Sequence, residues 1–368
     1  MTDVRRADAV VIGAGQAGLA VAYHLARRGM VPGTDLVVVD RGPRSGGAWQ
    51  YRWESLRLGD AHRIHDLPGM RDTGLSLASA PTHRPARDVV PEYYAAFEDH
   101  YRLAVKRPAT VSRVTASARG FLVEFQDTSL TPLDTRILVN ATGTWHRPRV
   151  PTVPGRDLFE GSQVTTPQFQ AAADFAGWRV AVVGGGTSAL GFLDELYGHA
   201  QALHWYTRRP PQWLQVTDTL PQELGVRAVS LQDEAAQQGR PLPSIVSTTG
   251  LPWTARVARL ERRGLLDRRP MFTRMHRDGV VNADGTSTQI DAILWATGFE
   301  ADLGHLDGLP TDSTHGAPVV TGGRVEGWPG LFLAGYGPQA STISSNRAGR
   351  TMAETIVEQL HSGASVSP

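Results

Sequence analysis

Two stretches of the chain repeat one pattern of apolar and polar positions. The apolar run Ala9-Val10-Val11-Ile12 leads into Gly13-Ala14-Gly15-Gln16-Ala17-Gly18, followed by apolar positions at helical spacing, Leu19, Ala20, Ala22 and Leu25. A further apolar run, Leu36-Val37-Val38-Val39, ends at Asp40. The same order returns later. Val180-Ala181-Val182-Val183 precedes Gly184-Gly185-Gly186-Thr187-Ser188-Ala189 and a helix-like stretch, and Ala202-Leu203-His204-Trp205-Tyr206 ends at Thr207-Arg208-Arg209. Short continuous apolar runs bounded by turn residues read as buried strands, and the spacing between them reads as helix. Each copy is therefore predicted to be a β-α-β unit with a glycine-rich turn at the head of its helix.

That spacing is the one a dinucleotide needs. The first glycine permits the turn, the next lets the backbone approach a pyrophosphate, and the third position lets helix and strand pack closely. The pyrophosphate then meets free N–H groups and the positive end of the helix dipole. An acid closing the second strand accepts hydrogen bonds from ribose hydroxyls, whereas an arginine there meets a 2′-phosphate. Gly13, Gly15, Gln16, Ala17, Gly18, Asp40 and Arg41 are thus candidates for an FAD or NAD site. Gly184, Gly186, Thr187, Ser188, Ala189, Arg208 and Arg209 are candidates for an NADPH site, with Arg208 the first choice for the 2′-phosphate. Two dinucleotides in one chain imply hydride transfer between them.

The remaining pattern fills in around these units. Residues 41–70 lack periodicity and read as an ordered loop around a ligand, and 87–105 as a helix through Val89, Tyr93, Tyr94, Phe97 and Tyr101. Alternation over 109–140 predicts strands, and Pro148, Pro151 and Pro154 mark a crossing between domains. Residues 210–275 read as irregular because prolines interrupt them. A strand at 291–296, a last strand at 330–334 and a closing helix at about 347–360 complete the chain, with a disordered tail after Ser362. The fold class expected is α/β, with two doubly wound Rossmann-like dinucleotide-binding domains. An NADPH domain (151–290) is inserted into a discontinuous FAD domain (1–150 and 291–368).

Composition narrows the chemistry. Across 368 residues the net charge is +1, giving no field that would draw nucleic acid or an anionic membrane. There is no cysteine, which excludes disulfides, iron–sulfur ligation and a redox-active cysteine pair. The 12 histidines form no HExxH-type pair, so no metal site is expected. No secretory or membrane signal is evident, and a soluble cytoplasmic protein is the expectation. The run Arg256, Arg259, Arg262, Arg263 reads as a solvated helix face.

The full order of segments resembles the flavin-containing monooxygenases, FAD- and NADPH-dependent single-component enzymes, over essentially the whole chain. It comprises the first glycine turn, Gly46-Gly47-Ala48-Trp49, Ala141-Thr142-Gly143, the second glycine turn, Ala296-Thr297-Gly298, and Leu331-Phe332-Leu333-Ala334-Gly335-Tyr336-Gly337. The loop Trp53-Glu54-Ser55-Leu56-Arg57-Leu58 is similar to that of a compact bacterial branch. The family signature before the second turn is matched by Phe159, Gly161 and Phe169, but Thr165 stands where a histidine is expected, which puts the family's histidine-dependent coupling of the domains in question. The resemblance implies that Gly47, Ala48, Trp49, Leu58, Ala141, Thr142, Gly143, Thr297 and Gly298 border the nucleotides. Gly335, Tyr336 and Gly337 would present the last helix to the flavin. Asp60, with His62, Arg63 and His65 on the same loop, would stand near the reacting ring as the catalytic candidate.

The chemistry this implies rests on the cofactor: NADPH reduces FAD, and dioxygen adds at flavin C4a to give a hydroperoxide that transfers one oxygen atom. The partners would be a small organic substrate, a soft nitrogen or sulfur nucleophile or a carbonyl compound, and dioxygen; a homodimer stays open. Two other readings stay open as well. One is an NADPH-dependent flavin reductase passing electrons to a quinone or carrier. The other is a redox-sensing binding protein with FAD as a structural ligand.

Overall fold

The computed structural model describes residues 4–61, 64–214, 222–243, 250–309 and 317–363. His62, Arg63 and the tail after Gly363 lie outside the described residues. Strand β1 (Arg5–Ile12), helix α1 (Gln16–Ala26) and β2 (Leu36–Val39) form the first predicted unit. Helix α2 (Ala86–His100) and the hairpin β3 (Val111–Ala116) and β4 (Phe121–Phe125) lead to β5 (Leu133–Asn140). The second sheet then takes β6 (Ser162–Thr165), β7 (Arg179–Val183), helix α3 (Thr187–Leu196) and β8 (Ala202–Thr207). Helices α4 (Gln222–Gln237) and α5 (Ala255–Arg262) precede β9 (Arg268–Pro270) and β10 (Ala292–Trp295). Strand β11 (Leu331–Leu333) and helix α6 (Thr342–Ser362) end the fold.

The parallel core of the first sheet runs β2-β1-β5-β11, with the β3–β4 hairpin antiparallel on β5. The second sheet is wholly parallel, in the order β9-β8-β7-β10-β6. Both central strands are fully apolar and buried over their C-terminal halves, as helix-covered parallel sheets require. The chain leaves the first sheet after Asn140, builds the second, and returns when Leu331–Leu333 pairs with β5. The architecture is thus the expected α/β one, with one sheet built inside the sequence of the other.

Three expectations need correction. Strand Ala292–Trp295 was assigned to the returning first domain, yet it lies between β7 and β6 and completes the second sheet. The short apolar run was compatible with either sheet, and pairing decided it. Among the described residues of 210–275 there are two helices, α4 and α5, and Pro241 falls after the end of α4. The closing helix begins at Thr342, capped by Ser341, which accepts from the Ser344 N–H at 3.1 Å. Among the described residues no helix is long and apolar enough to cross a membrane.

Candidate functional site

The two glycine turns are built on one plan. Gly13 N–H donates to Val39 and Gly184 N–H to Tyr206, each the last or next-to-last residue of the neighbouring strand. A Cβ on Gly13 would stand 2.4 Å from the Ala141 carbonyl oxygen, and one on Gly184 would stand 2.2 Å from that of Ala296. Both residues also have positive φ, +103° and +149°. Each Ala-Thr-Gly segment is therefore the surface against which its half's first glycine must fit. A Cβ on Gly18 would stand 1.9 Å from the Gly13 carbonyl oxygen, while Ala189 is fully buried at the equivalent place in α3. These glycines answer to protein packing.

Gly15 and Gly186 do not. Each is the N-cap of its helix, in an extended conformation any residue can take. A Cβ on Gly15 would be 3.9 Å from its nearest neighbour, Gly47 Cα, and one on Gly186 would meet nothing within 4 Å. No steric need within the protein asks for glycine there. A ligand approaching the helix N-terminus does.

A cavity of about 320 Å³ opens over the first turn, within the size range of cofactor sites. Gly13, Gly15, Gln16, Ala17, Asp40, Arg41, Gly47, Ala48, Trp49, Ala141, Thr142, Gly143 and Gly335 line it. Asp40 is buried, and its two carboxylate oxygens accept from the N–H groups of Ala14 (2.7 Å) and Gly42 (2.8 Å). A carboxylate has about four acceptor sites, so acceptor positions remain on Asp40 for hydroxyl donors. Gln50 sits beside Asp40, and its buried Oε1 has no hydrogen-bond partner, an acceptor suited to a second hydroxyl. Arg41 is ion-paired with Asp302. Gln16 joins three elements: it accepts from the Tyr94 hydroxyl at 2.7 Å and donates to Asn346 of α6 at 3.0 Å. His305 also lines the cavity; it bonds Asn140 Oδ1 at 2.8 Å, and burial pulls its pKa down to about 4.

Other expected residues lie elsewhere. Tyr336 packs in the core beneath the first sheet, and Gly337 contacts α4. Thr297 donates its hydroxyl to the Arg149 carbonyl, and Gly298 accepts from the Arg149 N–H at 2.9 Å, so this pair fixes the crossing segment. Leu58 packs against the main core. Asp60, half-exposed, is outside the cavity lining and ion-pairs with Arg256 of α5 at 3.0 Å. His65 contributes its carbonyl to Gln16.

The arginine run is a solvated face at Arg262, which is exposed, and an ion-paired one at its other members. Arg256, Arg259 and Arg263 converge on Asp194 of α3, whose carboxyl they hold below its usual range against the opposing pull of burial. At the second turn Arg208 and Arg209 are exposed at the end of β8, with no acid paired to either among the described residues. Arg268 of β9, which the sequence reading missed, reaches the same corner and donates to Thr207 Oγ1 at 3.0 Å. Its signal was hidden because β9 lies far along the chain in a stretch without clean periodicity. Thr165 ends β6 and bonds Gln168, while Phe169 is buried against Trp53 and Phe192.

The profile of a family described as pyridine nucleotide-disulphide oxidoreductase matches residues 10–223. A solved flavin-containing monooxygenase from Stenotrophomonas maltophilia is similar over 97% of this chain and 100% of its own, with 30% identity and a TM-score of 0.79. The uncharacterized oxidoreductase CzcO of Bacillus velezensis is 24% identical over 308 residues, 80% of this chain and 82% of the relative. The indole-3-pyruvate monooxygenase YUCCA1 of Oryza sativa subsp. japonica is 28% identical over 332 residues, 80% of this chain and 77% of the relative.

Proposed function

The chain belongs to the pyridine nucleotide-disulphide oxidoreductase family and is a relative of the flavin-containing monooxygenases. On that premise we propose that it inserts one atom of dioxygen into a small organic substrate, a soft nucleophile or a carbonyl compound, through a C4a-hydroperoxyflavin. It is an FAD- and NADPH-dependent flavin monooxygenase. FAD occupies the cavity over the first turn and NADPH the second turn, so that residues 1–150 together with the returning strand and helix form the FAD domain.

The observation carrying this reading is the pair of helix-capping glycines, Gly15 and Gly186, that no protein contact requires. Asp40 and Gln50 favour ribose hydroxyls in the first site, and Arg208 and Arg209, which no acid among the described residues pairs, favour a 2′-phosphate in the second. When bound, the flavin supplies hydride acceptance and oxygen activation; the protein supplies orientation and exclusion of water. The absence of cysteine removes the disulfide-reducing chemistry that the family description also covers. Reduced enzyme with bound NADP⁺ is to be mixed with oxygen and the flavin spectrum followed. A long-lived oxygen adduct preceding reoxidation is expected; direct reoxidation without it would replace this reading with that of a reductase.

A further inference from the structure

Arg52 lies in the wall of the first cavity, its guanidinium carbon 3.9 Å from the centroid of the Trp145 ring and 5.1 Å from that of Trp49. Trp145 in turn stacks with Phe299 at 5.5 Å. Among the described residues no carboxylate pairs with Arg52, and its buried Nε has no hydrogen-bond partner. Its neighbours differ: Arg41 is paired with Asp302, and Arg107 with Glu98. Burial pulls the Arg52 pKa down to about 10, so the group remains charged at neutral pH. The indoles offset part of the desolvation. A largely desolvated cation without a counter-charge costs folding free energy, which an anionic ligand beside it would offset.

The turn that Arg52 closes indicates which ligand. It begins at Gly47, where an added Cβ would stand 2.8 Å from Gly15 Cα, and ends at Tyr51. Gln50 lies against Gly42 beside the Asp40 carboxylate, and the Asp40 charge acts on the Tyr51 hydroxyl. The turn thus spans from the glycine at the head of α1 to Asp40, the stretch that would border the adenosine diphosphate half of a bound FAD.

We infer that Arg52 is the fixed counter-charge of the FAD diphosphate, acting together with the backbone N–H groups at the start of α1. This rests on the first cavity holding FAD. A carboxylate on the organic substrate is the competing anion.

Wild type, Arg52→Met and Arg52→Lys are to be stripped of flavin. Each is titrated with FAD and with riboflavin, which has the same ring and no diphosphate, and the thermal midpoints of apo and loaded protein are compared. Arg52→Met should raise the FAD Kd about ten- to a hundred-fold, the loss of a charge-assisted pair, and leave riboflavin binding unchanged. Its apo form should melt higher than wild type, because an unpaired charge is gone, while the rise on adding FAD shrinks. Arg52→Lys should keep most of the FAD affinity. Lower apo stability with both flavins weakened equally would overturn the inference in favour of a packing role. Unchanged FAD affinity in Arg52→Met would overturn it too, whether or not turnover of carboxylate substrates falls. Should the methionine variant be insoluble, Arg52→Gln provides the same comparison. Wild-type protein that takes up neither flavin would instead remove FAD from the cavity, a failure separate from that of Arg52.

Discussion

The Trp53 indole Nε1–H donates to the Glu195 carboxylate at 3.1 Å, tying the loop of the first sheet to helix α3 of the second. Ser55 donates to the other oxygen at 2.8 Å, and the Trp53 ring packs on Phe192 and Phe169. The residues of the Trp-x-Ser loop segment thus hold the two nucleotide units together. This supplies a coupling between domains in a chain that has Thr165 where a histidine was expected.

Replacing Glu195 by alanine leaves the buried Trp53 N–H without an acceptor, at a cost of about 1–3 kcal/mol. Glu195→Ala should lower the denaturant midpoint and slow flavin reduction by NADPH while FAD stays bound. Stopped-flow reduction under anaerobic conditions measures the rate. A rate equal to wild type would show that this contact only stabilises the fold.

Asp60 and Arg256 form the second tie. The pair is half-exposed on the acid's side, so its direct worth is small, under about 1 kcal/mol. Its effect should fall on catalysis: Asp60→Asn and Arg256→Met should each raise the fraction of NADPH oxidised without product. The double variant should be no worse than the stronger single one, as expected of residues acting through one contact. Additive losses would mean that Asp60 acts independently of Arg256, nearer the flavin.

The Gly15 and Gly13 positions separate ligand space from protein space. An added Cβ has room at Gly15 and the backbone there is one any residue can take, so Gly15→Val should fold and purify colourless. Gly13→Val would drive a side chain into the Ala141 carbonyl at a positive φ, and should yield little soluble protein. Stoichiometric FAD in purified Gly15→Val would remove this turn as the pyrophosphate site.

How much of this was legible beforehand follows from locality. The β-α-β units, the glycine turns and Asp40 are set by neighbours within about twenty residues, and the hydrophobic period reports them directly. Gln50, Arg52, Trp145 and His305 are brought to one cavity by the closing of the first sheet, from loops with no period to read. The destination of Ala292–Trp295 and the convergence of three arginines on Asp194 depend on pairing between distant segments, which a run of apolar or basic residues leaves open. Prolines misled over 210–275 because they mark element ends as well as irregular chain.

Arg208 should set the choice of nucleotide. Losing a charge-assisted pair to the 2′-phosphate costs roughly 1.5–3 kcal/mol, or about ten- to a hundred-fold in the NADPH KM. Arg208→Ala should therefore narrow the preference for NADPH over NADH with FAD retained, and NADH kinetics should hardly move. Arg268 reaches the same corner through Thr207, and Arg268→Ala should add to the loss. An unchanged preference in both variants would place the phosphate elsewhere.

His305 makes the apo fold sensitive to acid. Its Nε2 bonds Asn140 Oδ1, Asn140 Nδ2 donates to Thr142 Oγ1, and Thr142 Oγ1 donates to the Asp302 carbonyl. Burial opposes the charged imidazole and outweighs the nearby Asp302 and Asp307 carboxylates, bringing the folded pKa to about 4 against 6.5 for a free histidine. Between those values the unfolded chain binds the proton and the folded one does not, so stability rises with pH. The contribution is complete above pH 6.5 and is lost progressively as pH falls toward 4, up to about 3 kcal/mol. His24, also drawn down to about 4 by burial and by Arg28, titrates over the same window, so wild type should lose stability from both. His305→Gln keeps a donor for Asn140 and cannot titrate, so it should remove part of the slope. Urea midpoints at pH 7.0 and 5.0 measure this: the drop should be smaller in His305→Gln than in wild type. Equal drops would mean that His305 is already protonated in the folded protein at pH 5 or is freely solvated there.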